Sequence, residues 1–145
     1  MDLDSAMAVS ASGLEVQRRR LNIIASNLAN VNTTKSAGGG PYRRRDLLIR
    51  SETLRQPFKG FFSPSPSLDA PGVRAVRVVE DSRQPRQVYE PHHPDANAEG
   101  YVQMPDINAI EEMVNLLTAS RAYEANVTAM GLTKAMAQRA LEIGR

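Results

Sequence analysis

The distribution of proline constrains this chain more than any other feature of its sequence. All nine prolines lie between Pro41 and Pro105, and none lies in residues 1–40 or 106–145. Proline costs about 3 kcal/mol inside a helix, because it removes a backbone donor and clashes with the preceding turn. We therefore predict an N-terminal helix within 1–34, a Pro- and Gly-rich middle segment with short strands over 35–105, and a C-terminal helix within 106–145.

The first flank, from about Leu3 to Val31, carries apolar residues on one seam of a helix. Their spacings of three, four and seven residues are heptad-like. Asp4 or Ser5 could cap the start, and the helix is expected to end near Asn30–Thr34. The seam consists of Leu3, Met7, Leu14, Leu21, Ile24, Leu28 and Val31.

The second flank, from about Ile107 to Ile143, carries two apolar stripes. Asp106 or Asn108 could cap its start, and Glu111 and Glu112 suit the positive end of the helix dipole. A helical hairpin covers one stripe, so the other would stay exposed and indicate contact with neighbours. The first stripe is Ile110, Val114, Leu117, Tyr123, Val127, Met130, Ala137 and Leu141, and the second is Leu132, Met136, Ala140 and Ile143.

The middle segment predicts short strands joined by turns. Weak alternation over Arg45–Ser51 and the valine-arginine run Gly72–Glu80 favour two strands, and Gln87–Glu90 and Tyr101–Met104 favour two more. Residues 61–67 and the turn at 69–72 are typical of a loop. The predicted fold class is therefore mainly α with a small β insert, in which two long terminal helices pack as a coiled-coil-like core.

Composition excludes several classes of function. Apolar residues make up 41% of the chain and aromatic residues 5%, and there is no tryptophan, so the chain has few large side chains for a core of its own. The net charge of +2 demands neither nucleic acid nor an anionic membrane. Without cysteine there is no disulfide or thiolate site. The acidic N-terminus is unlike a secretory signal peptide, and no apolar run approaches the ~20 residues of a membrane span.

Two basic triplets, Arg18–Arg20 and Arg43–Arg45, raise the alternative of nucleic-acid binding. Three consecutive arginines on a helix spread over most of its circumference, and no known nucleic-acid motif surrounds either triplet. A solvated face or ion pairing between subunits is favoured. For Arg43–Arg45 we predict contact with acidic residues of a neighbouring subunit.

Metal binding and catalysis are the remaining alternatives. His92 and His93 are adjacent in a proline-flanked turn and point apart, so they favour a solvated turn over a metal site. Gly38–Gly40 lacks the preceding strand and the following Gly-Lys-Ser/Thr of a phosphate-binding loop. No acid/base pair lies in an evident pocket. We therefore predict no enzyme activity, no cofactor and no metal.

Several short sequence motifs resemble those of a known family. Residues 21–33 (LNIIASNLANVNT) closely resemble the N-terminal signature of flagellar rod, hook and hook-associated axial proteins. Residues 38–46, 88–108 and 111–127 are similar to the proximal rod members of that family, in the correct order, whereas 51–71 match no pattern. The residues that carry the resemblance include Asn27, Leu28, Ala29, Asn30, Pro41, Tyr42, Arg43, Ser120, Arg121, Tyr123 and Asn126.

The resemblance implies a structural subunit of the proximal rod of the bacterial flagellum. Such subunits are exported unfolded through the flagellar type III apparatus without signal cleavage, and they assemble in the periplasm. Their terminal helices form a D0-type helical tube around the export channel, and the rod transmits torque. A generic coiled-coil adaptor is the alternative that the helical pattern alone leaves open.

The resemblance also implies the partners, and the seams predict the contact residues. The expected partners are other copies of the chain, rod proteins of the FlgB, FlgF and FlgG types, the rod-base protein FliE and the membrane-ring protein FliF, with no nucleic acid and no membrane insertion. The predicted interface residues are Met7, Leu14, Leu21, Ile24, Leu28, Ile110, Val114, Leu117, Tyr123, Val127, Met130 and Leu141.

Overall fold

The computed structural model describes residues 3–36, 38–54 and 70–143 of the chain. The elements are α1 (Leu3–Ala29), β1 (Arg45–Leu54), β2 (Ala70–Glu80), β3 (Arg86–Tyr89), β4 (Tyr101–Met104) and α2 (Ala109–Ile143). The predicted mainly α fold with a small β insert is confirmed. In the part of the chain that the structure describes, neither helix is long and apolar enough to cross a membrane.

Helix α1 ends at Ala29, two residues before the predicted Val31, and Asn30 forms the hydrogen bonds at this end. The side chain of Asn30 donates from Nδ2 to the carbonyl of Ser26 at 2.8 Å, and its backbone N–H donates to the same carbonyl at 3.1 Å. Thr33 then donates its hydroxyl to Asn30 Oδ1 at 3.1 Å. These bonds satisfy groups that a helix end leaves open.

Helix α2 begins after an asparagine cap. The Oδ1 atom of Asn108 accepts from the backbone N–H groups of Ile110 at 3.0 Å and Glu111 at 3.4 Å. This is the N-cap geometry, so Asn108 is the capping residue among the two predicted. Asp106 instead pairs with Arg83, with Nη1 and Oδ2 3.1 Å apart.

The strands form two separate two-stranded sheets, β1 with β2 and β3 with β4. The second sheet is antiparallel, with Arg86 opposite Met104 and Tyr89 opposite Tyr101. The rings of this tyrosine pair meet edge to face, with centroids 5.3 Å apart. Strand β2 begins at Ala70, two residues earlier than predicted, so it includes most of the turn predicted at 69–72. The loop predicted at 61–67 lies outside the described residues.

Among the described residues, one compact unit contains 3–19, 49–54, 70–76 and 119–143. Within it, α1 and α2 approach closely at Gly13, where a methyl group would lie 2.9 Å from the amide nitrogen of Asn126. The backbone of β2 is tied to α1 because Val73 N–H donates to the hydroxyl of Ser12 at 3.2 Å. Val16 and Ala119 are its buried apolar residues.

The other compact unit contains residues 20–48 and 77–118. It holds the end of α1, the start of β1, the sheet of β3 and β4, and the start of α2. Its buried apolar residues are Ile24, Tyr42, Val102 and Ile107. The division of the chain into segments 1–34, 35–105 and 106–145 stays a prediction.

Candidate functional site

The end of α1, the segment before β1 and the first turn of α2 meet in a buried polar cluster within the second unit. We call it the Asn27–Glu112 cluster, and it consists of Ser26, Asn27, Tyr42, Arg44 and Glu112. Asn27 and Glu112 are each only 1% exposed. Polar side chains are seldom buried so completely, and those that are need hydrogen-bond partners.

The side-chain amide of Asn27 makes four hydrogen bonds. Its Nδ2 donates to the carbonyl of Arg45 at 2.8 Å and to Glu112 Oε2 at 3.1 Å. Its Oδ1 accepts from the backbone N–H of Arg45 at 2.9 Å and from the hydroxyl of Tyr42 at 3.1 Å. Asn27 therefore holds the backbone at the start of β1 against the end of α1.

The carboxylate of Glu112 is neutralised by Arg44. Arg44 donates from Nε to Glu112 Oε1 at 2.8 Å, and its Nη1 lies 3.6 Å from Asp46 Oδ2. Burial of the guanidinium lowers the pKa of Arg44. The hydrogen bond and charge of Glu112, with the charges of Asp46 and Glu111, outweigh that effect and leave the pKa raised.

Tyr42 closes the cluster. Its hydroxyl lies 3.3 Å from Ser26 Oγ, and the guanidinium of Arg45 lies 5.5 Å from the centre of its ring. The ring is buried, so the cluster combines apolar contact with hydrogen bonds. The acid is paired with Arg44 and the Asn27 amide is fully hydrogen-bonded, so this arrangement fixes three chain segments together.

Arg44 and Arg45 correct one sequence prediction. Both were expected to contact a neighbouring subunit, but Arg44 pairs with Glu112, and Arg45 pairs with Glu80 at 3.0 Å across β1 and β2. Their partners are 68 and 35 residues away in sequence, so no local pattern indicates them. Arg43 is exposed and keeps the predicted role as a hypothesis.

The structure separates the motif residues into two groups. Asn27 and Tyr42 belong to the Asn27–Glu112 cluster, and Leu28, Ala29, Asn30, Pro41 and Arg43 flank it in sequence. Ser120, Arg121, Tyr123 and Asn126 lie on α2 in the first unit, where Asn126 faces Gly13. Sequence reasoning missed Glu112 and Arg44, because it assigned Glu112 to the helix dipole.

A second feature is the exposed apolar face of α2. In the second unit, Ile110 is 73% exposed and Leu117 is 60% exposed, with Val114 between them on the same side. Exposed apolar patches of this kind mark interaction surfaces. The other exposed large apolar residues of α2 are Met113, Val127, Leu132, Met136, Leu141 and Ile143.

The remaining predicted interface residues are less accessible. Tyr123 and Met130 on α2 and Met7, Leu14, Leu21 and Leu28 on α1 are half-buried, and Ile24 is buried within the chain itself. The sheet of β1 and β2 also exposes large apolar side chains that the sequence analysis did not assign to an interface. These are Leu48, Ile49, Val73, Val76, Val78 and Val79.

The histidine turn is held by local bonds. His93 Nδ1 accepts from the backbone N–H of Asp95 at 3.1 Å. Asp95 also accepts from Thr34 at 2.7 Å and pairs with Lys35 at 2.8 Å, beside a polar cleft of about 230 Å³. Over the described ranges, no three His, Cys, Asp or Glu side chains are grouped to hold a metal ion.

Two protein-family models match the chain, one near its N-terminus and one near its C-terminus. Residues 7–35 match the family model described as "Flagella basal body rod protein", and residues 98–143 match "Flagellar basal body rod FlgEFG protein C-terminal". The matched segments contain α1 with Asn27 and α2 with Glu112. Both helical ends therefore resemble flagellar rod proteins independently of each other.

Full-length relatives agree with these matches. The chain is 44% identical to flagellar basal-body rod protein FlgC of Bacillus subtilis over 146 residues, which cover 97% of each protein. It is 39% identical to FlgC of Borreliella burgdorferi over 150 residues, which cover 99% of this chain and 98% of the relative. Identity to FlgC of Salmonella typhimurium is 34% over 145 residues, all of both chains. This similarity favours a rod subunit over the generic adaptor.

Proposed function

This chain belongs to the FlgC family of flagellar basal-body rod proteins, and we propose that it builds the proximal part of the rod by packing its terminal helices against neighbouring subunits. Members of this family are structural proteins and not enzymes. The single observation that carries the proposal is the exposed apolar face of α2, with Ile110, Val114 and Leu117 on one side of the helix. Burying such residues against a neighbour removes apolar surface from water and stabilises the assembly.

The finer architecture follows from the family and from the two helices. We propose that α1 and α2 form a coiled-coil-like, D0-type core that encloses the export channel, and that the assembled rod transmits torque. The middle segment 35–105 lies outside this core, and segments 1–34 and 106–145 form it. The half-buried seam of α1 at Met7, Leu14 and Leu21 supports this division, because it leaves apolar surface for further contacts.

The partners and location are proposed on the same basis. The neighbours are other copies of the chain, rod proteins of the FlgB, FlgF and FlgG types, FliE at the rod base and FliF of the membrane ring. The site of assembly is the periplasm, reached by export of the unfolded chain without signal cleavage. The absence of cysteine suits assembly in an oxidising compartment, since no thiol can form an unwanted disulfide.

A deletion strain tests the rod function directly. Cells without this gene should have no flagella and should not swim, and the wild-type gene should restore both. Leu28→Asp or Val127→Asp should fail to restore them, because each places an unpaired charge in an interface. Flagella in the deletion strain would refute the function, whereas motility with both aspartate variants would refute only the interface assignment.

A further inference from the structure

The first two turns of α2 bury a carboxylate and expose their aliphatic side chains. Glu112 is 1% exposed, whereas Ile110, Val114 and Leu117 are all more than half exposed. At about 100° per residue, Glu112 lies about 180° around the helix from the centre of this stripe. A helix that served only its own chain would show the opposite arrangement, with the stripe inward and the charge in water.

The partners of Glu112 explain why it faces inward. Its Oε2 accepts from Asn27 at 3.1 Å, and its Oε1 accepts from Arg44 at 2.8 Å. These donors come from two different chain segments, the end of α1 and the residues before β1. Only an acceptor with two oxygens and the reach of a glutamate serves both at once.

A rotated α2 would break this arrangement. If the helix turned to bury Ile110, Val114 and Leu117 within the chain, Glu112 would move to the surface. The Nε of Arg44 and one N–H of the Asn27 amide would then lose their acceptor, and a buried donor without a partner is unfavourable. The ion pair therefore opposes the rotation that apolar burial alone would favour.

We propose that Glu112 and Arg44 are positioning residues for assembly, which fix the rotation of α2 so that Ile110, Val114 and Leu117 face the neighbouring subunit. This inference rests on the proposed rod function. The cluster acts through the orientation of the stripe and does not itself contact the neighbour.

The test replaces the pair by apolar residues in the deletion strain. Glu112→Leu with Arg44→Met keeps the volume but removes both charges, a change that proteins commonly tolerate without loss of stability. If the pair only stabilised the fold, each single variant would be incorporated poorly into basal bodies, and the double variant would be incorporated as well as wild type. If the pair positions α2, the double variant should be incorporated into purified hook–basal bodies at least tenfold less than wild type, although the amount of exported chain is unchanged.

The control changes an exposed ion pair to which no role is assigned. Glu52→Leu with Arg74→Met makes the same chemical change where the Arg74 Nη1 and Glu52 Oε2 atoms lie 3.3 Å apart and both side chains are exposed. This variant should be incorporated within about twofold of wild type. Incorporation of the Glu112/Arg44 double variant at the level of this control would overturn the proposal.

Glu112→Gln provides a second test of the positioning role, which can be used if the double variant is degraded. It preserves shape but offers only one acceptor oxygen, so Arg44 and Asn27 compete for it. We expect normal export and at least threefold lower incorporation, and incorporation equal to wild type would overturn the proposal. Val114→Asp separates the two levels of inference: if it blocks assembly while the Glu112 variants assemble normally, the positioning role is wrong and the rod function stands.

Discussion

Gly13 and Gly131 lie on the two helices but differ in what surrounds them. A methyl group at Gly13 would lie 2.9 Å from the Asn126 amide nitrogen, whereas one at Gly131 would meet nothing within 4 Å. Replacing glycine by alanine inside a helix normally stabilises it by about 1 kcal/mol. Gly131→Ala should therefore raise helicity, measured by circular dichroism in the presence of partner subunits, and Gly13→Ala should not, because Asn126 must move. Equal gains for both variants would contradict the close approach of the helices at Gly13.

Gly100 adopts a backbone conformation that other residues rarely take. Its φ is +83°, and a methyl group there would lie 2.9 Å from the ring of Tyr89. The left-handed conformation alone costs an alanine about 1–2 kcal/mol. Gly100→Ala should loosen the sheet of β3 and β4 and speed tryptic cleavage after Arg86. Gly38→Ala, which meets no neighbour and has no positive φ, is the matched control and should leave that rate unchanged.

Asp95 links the histidine turn to the segment after α1. Hydrogen bonds from Lys35 and Thr34 lower the pKa of its carboxyl below the ordinary value of 3.8. The contact is therefore present above pH 3.8 and is lost as the pH falls through the lowered pKa of Asp95. The carbon NMR shift of the Asp95 carboxyl should titrate with a midpoint below 3.8. Lys35→Met should bring that midpoint upward, and an unchanged midpoint would show that the ion pair is not formed.

At the scale of elements, both helices and all four strands were predictable from sequence to within a few residues at their ends. The absence of proline from both ends of the chain indicated where the helices lie, and the alternation of valine and arginine indicated β2. The Asn27–Glu112 cluster was predictable only in part. Asn27 and Tyr42 belong to motifs of adjacent residues, but the bond from Arg44 to Glu112 joins residues 68 positions apart. No periodicity contains that information, and Glu112 has an adequate local explanation at the helix start.

The second stripe of α2 gives a prediction for this element. Leu132 is largely exposed in the chain, and burying a leucine against a neighbour is worth about 2 kcal/mol. Leu132→Asn, similar in size but polar, should reduce incorporation into basal bodies by more than tenfold if this stripe is an interface. Lys134→Asn, two residues along the same helix and also exposed, is the control. Normal incorporation of Leu132→Asn would remove this stripe from the interface.

At the scale of the whole molecule, the balance of buried and exposed apolar residues is unusual. Among the described residues, six apolar residues are buried, whereas eighteen large apolar residues are exposed. A chain of this length normally buries about two thirds of its unfolded surface. The isolated chain therefore has little to offset the entropy of ordering two long helices.

We expect the purified monomer to be poorly helical, with helix content rising only when partner subunits are present. Circular dichroism of the chain alone and of its mixtures with other rod proteins measures this directly. A monomer that is fully helical and melts cooperatively would contradict the expectation. The wild-type chain with a non-rod protein added at the same concentration is the control for unspecific effects.

The threonines of α2 have a consequence for the kind of neighbour that this helix can accept. Thr118, Thr128 and Thr133 each donate their hydroxyl to the carbonyl four residues earlier, at 2.9 Å. A molecule that covers them need not supply a hydrogen-bond acceptor, because each of these hydroxyls already donates to a backbone carbonyl. At these three positions a neighbour has to match the shape of the helix and not a set of hydrogen-bond acceptors. The same three positions can in this way contact neighbours of different sequence.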